Sequence, residues 1–424
     1  MKTNSIILAA SFAALAGLSD TVVSDVIVRQ QWPWKTQVNA DFIVGGWNGS
    51  VTEISLTAYQ GDTRLGEIPL NACTGDVFVA SNGAHRVSFD PAAVDFLAAK
   101  GPMNDFRLDV AAKDVPDDEV LYIVFDLRKV PGEAGQRQYV TEYDLTNGVW
   151  GAWQRDYWGA DMARTVIWTG VKDDEKYAKT HLVVRRIPAG ETVMRKAEAP
   201  VRITAPYYVG VFEFTAAQLT LLGDRTADVS EASRIPANYK TYGNADTLYD
   251  MRGTAANWPT VSDGVHAYSI MGKLRERTGF HFDLPTEAQW EKAARGGSSG
   301  RYYWTTSTAE ISNRGTLQIY GNIARYSSEN PNVQNVGLKK PNAYGLYDVF
   351  GNVDETCLDW YNADYVPSGD NPVGAASGTS RVCKGGTYYT APANVNLAGA
   401  EARALNTTGA RNTQNGFRVC CPAP

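Results

Sequence analysis

Five cysteines and four histidines are the side chains of this 424-residue chain best suited to metal or nucleophilic chemistry, and their spacing assembles neither. Cys73, Cys357, Cys383, Cys420 and Cys421 form no paired metal-ligand pattern, so zinc is not suggested. Their number is odd, and an oxidising compartment would still leave at least one thiol over. Adjacent Cys420 and Cys421 must either close a strained vicinal disulfide or point apart. Cys357 and Cys383 can form a structural bridge or stay as two buried thiols. His85, His181, His266 and His281 lack an i, i+4 repeat and read as ordinary surface or core residues.

The elements that would position any site divide into more than one domain, because one hydrophobic core rarely serves a chain of this length. Forty basic residues stand against 46 acidic ones, a net charge of −6, and no basic run could neutralise a row of phosphates. Nucleic acid is therefore not an expected partner. Lys2, the apolar stretch Ile6 to Leu18 and the polar Ser19-Asp20 have the order of a secretory signal, predicted over residues 1–20. The mature protein is expected to be secreted or periplasmic, or held at the cell surface. No later segment approaches the roughly eighteen uncharged apolar residues of a membrane span.

Residues 25–127 alternate apolar and polar in short runs such as Ile54 to Tyr59 and Leu121 to Phe125. Turn clusters such as Gly45-Gly46 and Asn48-Gly49 separate them, which predicts a small antiparallel β-sandwich. Residues 128–180 read as a connector whose Trp150, Trp153, Tyr157, Trp158 and Trp168 act as packing anchors. A second domain spans 181–421. Its clearest helix begins at Thr286, where Thr286 and Gln289 form a capping box, Trp290, Ala293 and Ala294 make an inward stripe, and Gly296-Gly297 stops the element.

Six motifs then occur in a distinctive order: Tyr207 to Thr215, Phe282 to Glu291, Asn342 to Asp348, Gly351-Asn352-Val353, Gly385-Gly386-Thr387 and Gly416-Phe417-Arg418. In these the chain resembles the sulfatase-modifying factor family, whose best-known member is the formylglycine-generating enzyme. The resemblance covers about residues 181–421. It implies an α+β, C-type-lectin-like domain with long ordered loops, preceded here by the sandwich.

Catalytic members of that family oxidise a client cysteine to formylglycine with copper held by a pair of cysteines, since Cu(I) is selected by soft thiolates. Counting from Gly385-Gly386-Thr387 and from Arg403 to Thr407 places those two positions at Val395 and Ala400, so copper is not expected. The iron-dependent sulfoxide synthases of the family use histidines of a separate helical domain, and neither is present here. Periplasmic relatives in siderophore maturation lack the cysteine pair and are regarded as oxidoreductases, which keeps open an enzyme acting on a protein or peptide client. The resemblance also implies structural calcium, held by Asn352, Val353 and Glu355 at one site and by Asn322 and Ile323 at another. Both family tryptophans of the first segment are replaced, by Asp354 and Thr356.

Other relatives, the variable proteins of diversity-generating retroelements, display a changeable surface between the Gly-Gly-Ser turn and the terminal Gly-Phe-Arg. In this chain that stretch is Thr387 to Asn415, with Tyr388, Tyr389, Thr390, Asn394, Asn396, Leu397, Asn406, Asn412 and Gln414 as ligand-binding candidates. Tyrosine gives contact area at low entropic cost and asparagine gives adaptable hydrogen bonds. The expectation is thus a non-catalytic head displaying a surface to a protein or glycan ligand. The alternative is a formylglycine-generating-type or metal-dependent oxidoreductase. The sequence sets no oligomeric state.

Overall fold

The computed structural model describes residues 21–423, apart from 31–35, 48–51, 69–71, 80, 99, 101–102, 104, 115–119, 132, 134, 148–149, 156–164, 195–199, 238–250, 254–263, 301, 305–313, 324–331, 391–403 and 408–413. The signal segment expected at 1–20 lies outside the described residues. The structure is mostly β-sheet with few helices, and no described helix is long and apolar enough to cross a membrane.

Two antiparallel sheets build the N-terminal half. One has the order Val22–Gln30, Val38–Gly45, Gly83–Phe89, Cys73–Gly75. In the other, Thr52–Gln60 pairs with Thr63–Glu67, Phe78–Val79 and Phe106–Asp114. The alternation seen in the sequence works here as the pleat demands: Val38, Ala40, Phe42 and Val44 face inward while their neighbours do not. They meet Ile54, Leu56, Val87 and Leu108 in one apolar core.

The boundary expected at residue 127 cuts a sheet. Val120–Asp126 is a central strand between Arg137–Thr141 and His181–Ile187, followed by Tyr207–Gly210 and the C-terminal Cys420–Pro422, all antiparallel. All seven residues of Val120–Asp126 are buried. A strand covered on both faces carries a continuous apolar run rather than an alternating one, which is what Leu121 to Phe125 spells. The segment 128–180 is likewise no mere wrapping. Trp168 is fully buried, edge-on to Tyr122, Trp150 and Tyr177, in a core shared with Val183, Val211 and Tyr347. Trp153 remains partly exposed, and Tyr157 and Trp158 lie outside the described residues.

A further four-stranded sheet runs Ala404–Thr407, Ser380–Lys384, Asp354–Trp360, Asn415–Gly416, its last pair parallel. Against it lies the helix Glu287–Arg295. Its capping box forms as expected: Thr286 Oγ1 accepts from the Gln289 N–H at 3.2 Å, and Gln289 Oε1 accepts from the Thr286 N–H at 3.0 Å. Gly296 ends the helix in the left-handed region at φ 58°, where a side chain would be strained. Trp290, Ala293 and Ala294 pack into a core with Val209, Cys357 and Val382. A second capping box, Thr215 with Gln218, starts the helix Ala216–Gly223; its Thr-x-x-Gln spacing was readable in the sequence but was not singled out above.

Candidate functional site

The site grows from a buried charged frame around the Gly-Gly-Thr turn and the last strand. Arg418, 1% exposed, pairs with Glu355 at 2.7 Å and donates to the carbonyls of Gly210, Val211 and Tyr347. The Trp290 indole N–H donates to the other Glu355 oxygen at 2.6 Å. One strand away, Lys384 donates to Glu291 at 3.0 Å and lies 3.5 Å from Glu287, while Glu291 also holds Arg295 at 2.6 Å. Asp359 accepts from the first helical N–H, that of Glu287, at 2.7 Å. These ionic groups tie three strands and a helix together in a region with little regular structure.

Glu213 is the member that sequence reasoning missed, although it sits inside the Tyr207 to Thr215 motif. Fully buried, it accepts from Asn352 Nδ2 at 2.7 Å and from the Val353 N–H at 3.1 Å. Burial first, then Asp348 and Glu355 nearby, push its carboxyl well above the usual range. Burial likewise raises Asp348 to about 6, against the N–H of Gly337 and the charge of Arg418, which act to lower it. Three carboxyls thus share one guanidinium, and proton uptake by the surplus acids is the expected compensation. A lone buried Glu between aromatic and turn residues was the available signal.

The segment Thr387 to Asn415, expected to carry a ligand-binding surface, is held at both of its ends next to this frame. The Thr387 hydroxyl donates to Gln414 Oε1 at 3.1 Å, the Thr387 N–H donates to Thr390 Oγ1 at 3.0 Å, and the Tyr389 N–H donates to Thr387 Oγ1 at 3.0 Å. Gln414 accepts the Asp354 N–H on its carbonyl at 2.8 Å, and Tyr388 donates its N–H to the Asn352 carbonyl at 3.0 Å. Tyr388, Tyr389, Thr390 and Gln414 are therefore brought together. Tyr388 is buried while Tyr389 is 58% exposed, their rings edge-on with centroids 5.8 Å apart. Asn406 pairs by backbone with Arg381 in the outer strand. Asn394, Asn396, Leu397 and Asn412 lie outside the described residues, as do Val395 and Ala400.

The calcium ligands inferred at the first site do not fit a cation. Both Glu355 oxygens are engaged by Arg418 and Trp290, and Asn352 spends its amide on Glu213 and its Oδ1 on the Gln334 N–H at 2.9 Å. A calcium ion would have to displace a guanidinium that already neutralises the acid. At the second site, Asn322 accepts the Asn352 N–H on its carbonyl, Ile323 buries its side chain in the core, and residues 324–331 lie outside the described residues.

The cysteines are dispersed rather than paired for metal. Cys420 packs with Trp290 and Cys421 with Phe282 and Leu284, on opposite faces of the terminal strand. Cys383 shares a face with its cross-strand partner Thr356, at 3.8 Å, and Cys357 is next along the strand, turned into the Trp290 core. All five cysteines are buried free thiols. Burial pushes Cys73 up to about 12 and raises Cys357, Cys420 and Cys421 as well.

Known proteins match part of this chain. The chain is 36% identical over 154 residues to the formylglycine-generating enzyme of Thermomonospora curvata, covering 33% of this chain and 49% of that protein. It is 28% identical over 275 residues to the formylglycine-generating enzyme of Streptomyces coelicolor, covering 55% of this chain and 87% of that one. The chain thus spans about half the length of the first of these relatives, and most of the second. Among solved structures, Treponema denticola variable protein 1 aligns with a TM-score of 0.39 and 24% identity over 57% of this chain and 96% of that one. The family model of the sulfatase-modifying factor enzyme 1-like domain matches residues 170–422, more than half of the chain, and the chain belongs to that family.

Proposed function

We propose that this protein is an exported, non-catalytic member of the family that displays a ligand-binding surface on a C-type-lectin-like scaffold. The observation that carries the proposal is the pinned segment. Thr387 and Gln414 close its two ends on each other at 3.1 Å, the Gln414 carbonyl accepts the N–H of Asp354 on the strand that carries Glu355, and Tyr389 stands exposed. A rigid base under a Tyr- and Asn-rich stretch limits the entropy lost on binding, as in matured antibody loops. The ligand is a protein or a glycan. Diversification by a retroelement predicts a reverse-transcriptase gene and a near-copy of the codons for Thr387 to Asn415 in adjoining DNA. Sibling genes varying in the frame residues instead of that stretch would overturn it.

The surviving cysteines support the non-catalytic reading, since their burial disfavours the thiolate that copper would select. Purified protein given a Cys-x-Pro-x-Arg peptide, copper and reductant should leave the peptide thiol intact. Formylglycine in the product would establish the oxidoreductase alternative, toward which the likeness to the Streptomyces coelicolor enzyme points. Structural calcium is proposed only around Asn322 and Ile323; it predicts a melting temperature that rises with calcium as RT ln(1 + [L]/Kd) and falls with chelator. Export predicts a mature protein beginning close to residue 20, read by N-terminal sequencing of the secreted fraction.

A further inference from the structure

A cleft whose lining includes no residue of Thr387 to Asn415 lies beside the helix Glu287–Arg295. Glu191 and Thr192 of the strand Gly190–Thr192, Lys292 of the helix Glu287–Arg295, Ser298 and Ser299 of the turn after that helix, and Tyr344 surround about 220 Å³. Lys292 is 6% exposed, and its Nζ donates to the carbonyls of Gly190 and Glu191, each at 3.2 Å. An ammonium has three N–H donors, so one stays available toward the cleft. Among the described residues no carboxylate pairs with it, and burial alone lowers its proton affinity. A desolvated cation held only by neutral carbonyls is expensive, and an incoming anion would relieve that cost.

The surroundings narrow the class of anion. Ser298 and Ser299 line the wall; the Ser298 oxygen is held by the Gly300 N–H at 3.0 Å, and its O–H, whose acceptor Tyr302 carbonyl is a long 3.5 Å away, can redirect to a ligand. Glu191 is exposed on the same rim and opposes a second negative charge. The volume is below the roughly 300–1,000 Å³ of drug-sized sites, so the ligand is small.

We propose that this cleft binds a small monocarboxylate, either a free acid or the C-terminal residue of a peptide, with the carboxylate accepting the third N–H of Lys292. The test uses the full-length protein carrying lysine labelled with 13C at Cε and 15N at Nζ and followed by NMR, with Lys292→Gln assigning the Lys292 signal. Titration with acetate, N-acetylglycine and inorganic phosphate should shift that signal saturably with the two carboxylates and raise the pH at which it titrates. Phosphate should bind at least about tenfold more weakly. In Lys292→Gln, calorimetry should find carboxylate affinity reduced about tenfold or more at an unchanged melting temperature. N-acetylglycine binding well above acetate would mark a peptide terminus as the source, and equal binding a free acid. No saturable shift, phosphate binding as tightly as carboxylate, or undiminished affinity in Lys292→Gln would each overturn the proposal. None of these readouts depends on Thr387 to Asn415, so failure here is separable from failure of display.

Discussion

The two halves of this protein solve the same problem by opposite means. The N-terminal sandwich holds itself with an apolar core of Val, Ile, Leu, Ala and Phe, contributed by strands whose backbone bonds are satisfied by their neighbours. The C-terminal half buries Glu213, Glu287, Glu291, Asp348, Glu355, Lys384, Arg381 and Arg418 alongside its apolar clusters. The difference follows from loop content. Strand ladders pair their own N–H and C=O groups, whereas loops leave such groups to be met by side chains. Arg418 does this directly for three carbonyls, and Asn342 for two, at 2.7 and 3.0 Å on Ala293 and Ala294. Charge in a core is thus the means by which irregular chain is fixed. The halves meet where Glu53 of the sandwich, 1% exposed, receives Arg137 and the Tyr139 hydroxyl from the neighbouring sheet.

The contrast can be broken from either side. The largest effect is expected from Arg418→Met, which leaves Glu355 buried beside two further acids and should cost about 3–5 kcal/mol by urea denaturation, or abolish folding of the C-terminal half. Adding Glu355→Gln to it should recover part of that loss; no recovery would mean that Arg418 acts by packing and carbonyl binding alone. Leu56→Ala in the sandwich should cost about 2–5 kcal/mol through its cavity, while hydrogen exchange around the Gly-Gly-Thr turn stays protected. Loss of protection in both halves would show a single cooperative unit.

Acidity sharpens the comparison further. The folded carboxyl of Asp348 is raised from 3.8 to about 6. Its contribution to stability is therefore full below about pH 4 and lost as pH rises through about 6, provided the rest of the fold tolerates the acid. Between pH 7.5 and 5.5 the C-terminal half should gain on the order of 1 kcal/mol from this group, and Asp348→Asn should flatten that gain in parallel melts. The sandwich is the internal control. Smallest is Thr286→Ala, which removes one half of the capping box and should cost about 1 kcal/mol.

The capping box at Thr286, the inward stripe of Trp290, Ala293 and Ala294, and the alternating strand run at Ile54 to Tyr59 were legible because each is a local pattern. Helix and strand periodicity, and Thr-x-x-Gln spacing, are set by backbone geometry within a few residues. The family was legible for a similar reason, since its motifs are contiguous. The Val120–Asp126 strand was assigned to the wrong half because its apolar run says that both faces are covered but not by what. The fate of Glu355 was likewise hidden: the same residue suits a cation loop or an ion pair, and only the arrival of Arg418, 63 positions later in the chain, decides between them.

What the sequence determined by itself was therefore the kind of element at each place, the absence of cysteine from Val395 and Ala400, and membership of a family. Tertiary structure decided which charges meet, that Cys420 and Cys421 face opposite cores, and that Lys292 ends beside a cleft with no acid paired to it among the described residues. Propensity and capping act over one or two turns of chain. Pairing of buried charges depends on distances between residues far apart in sequence, and those exist only once the sheets have closed.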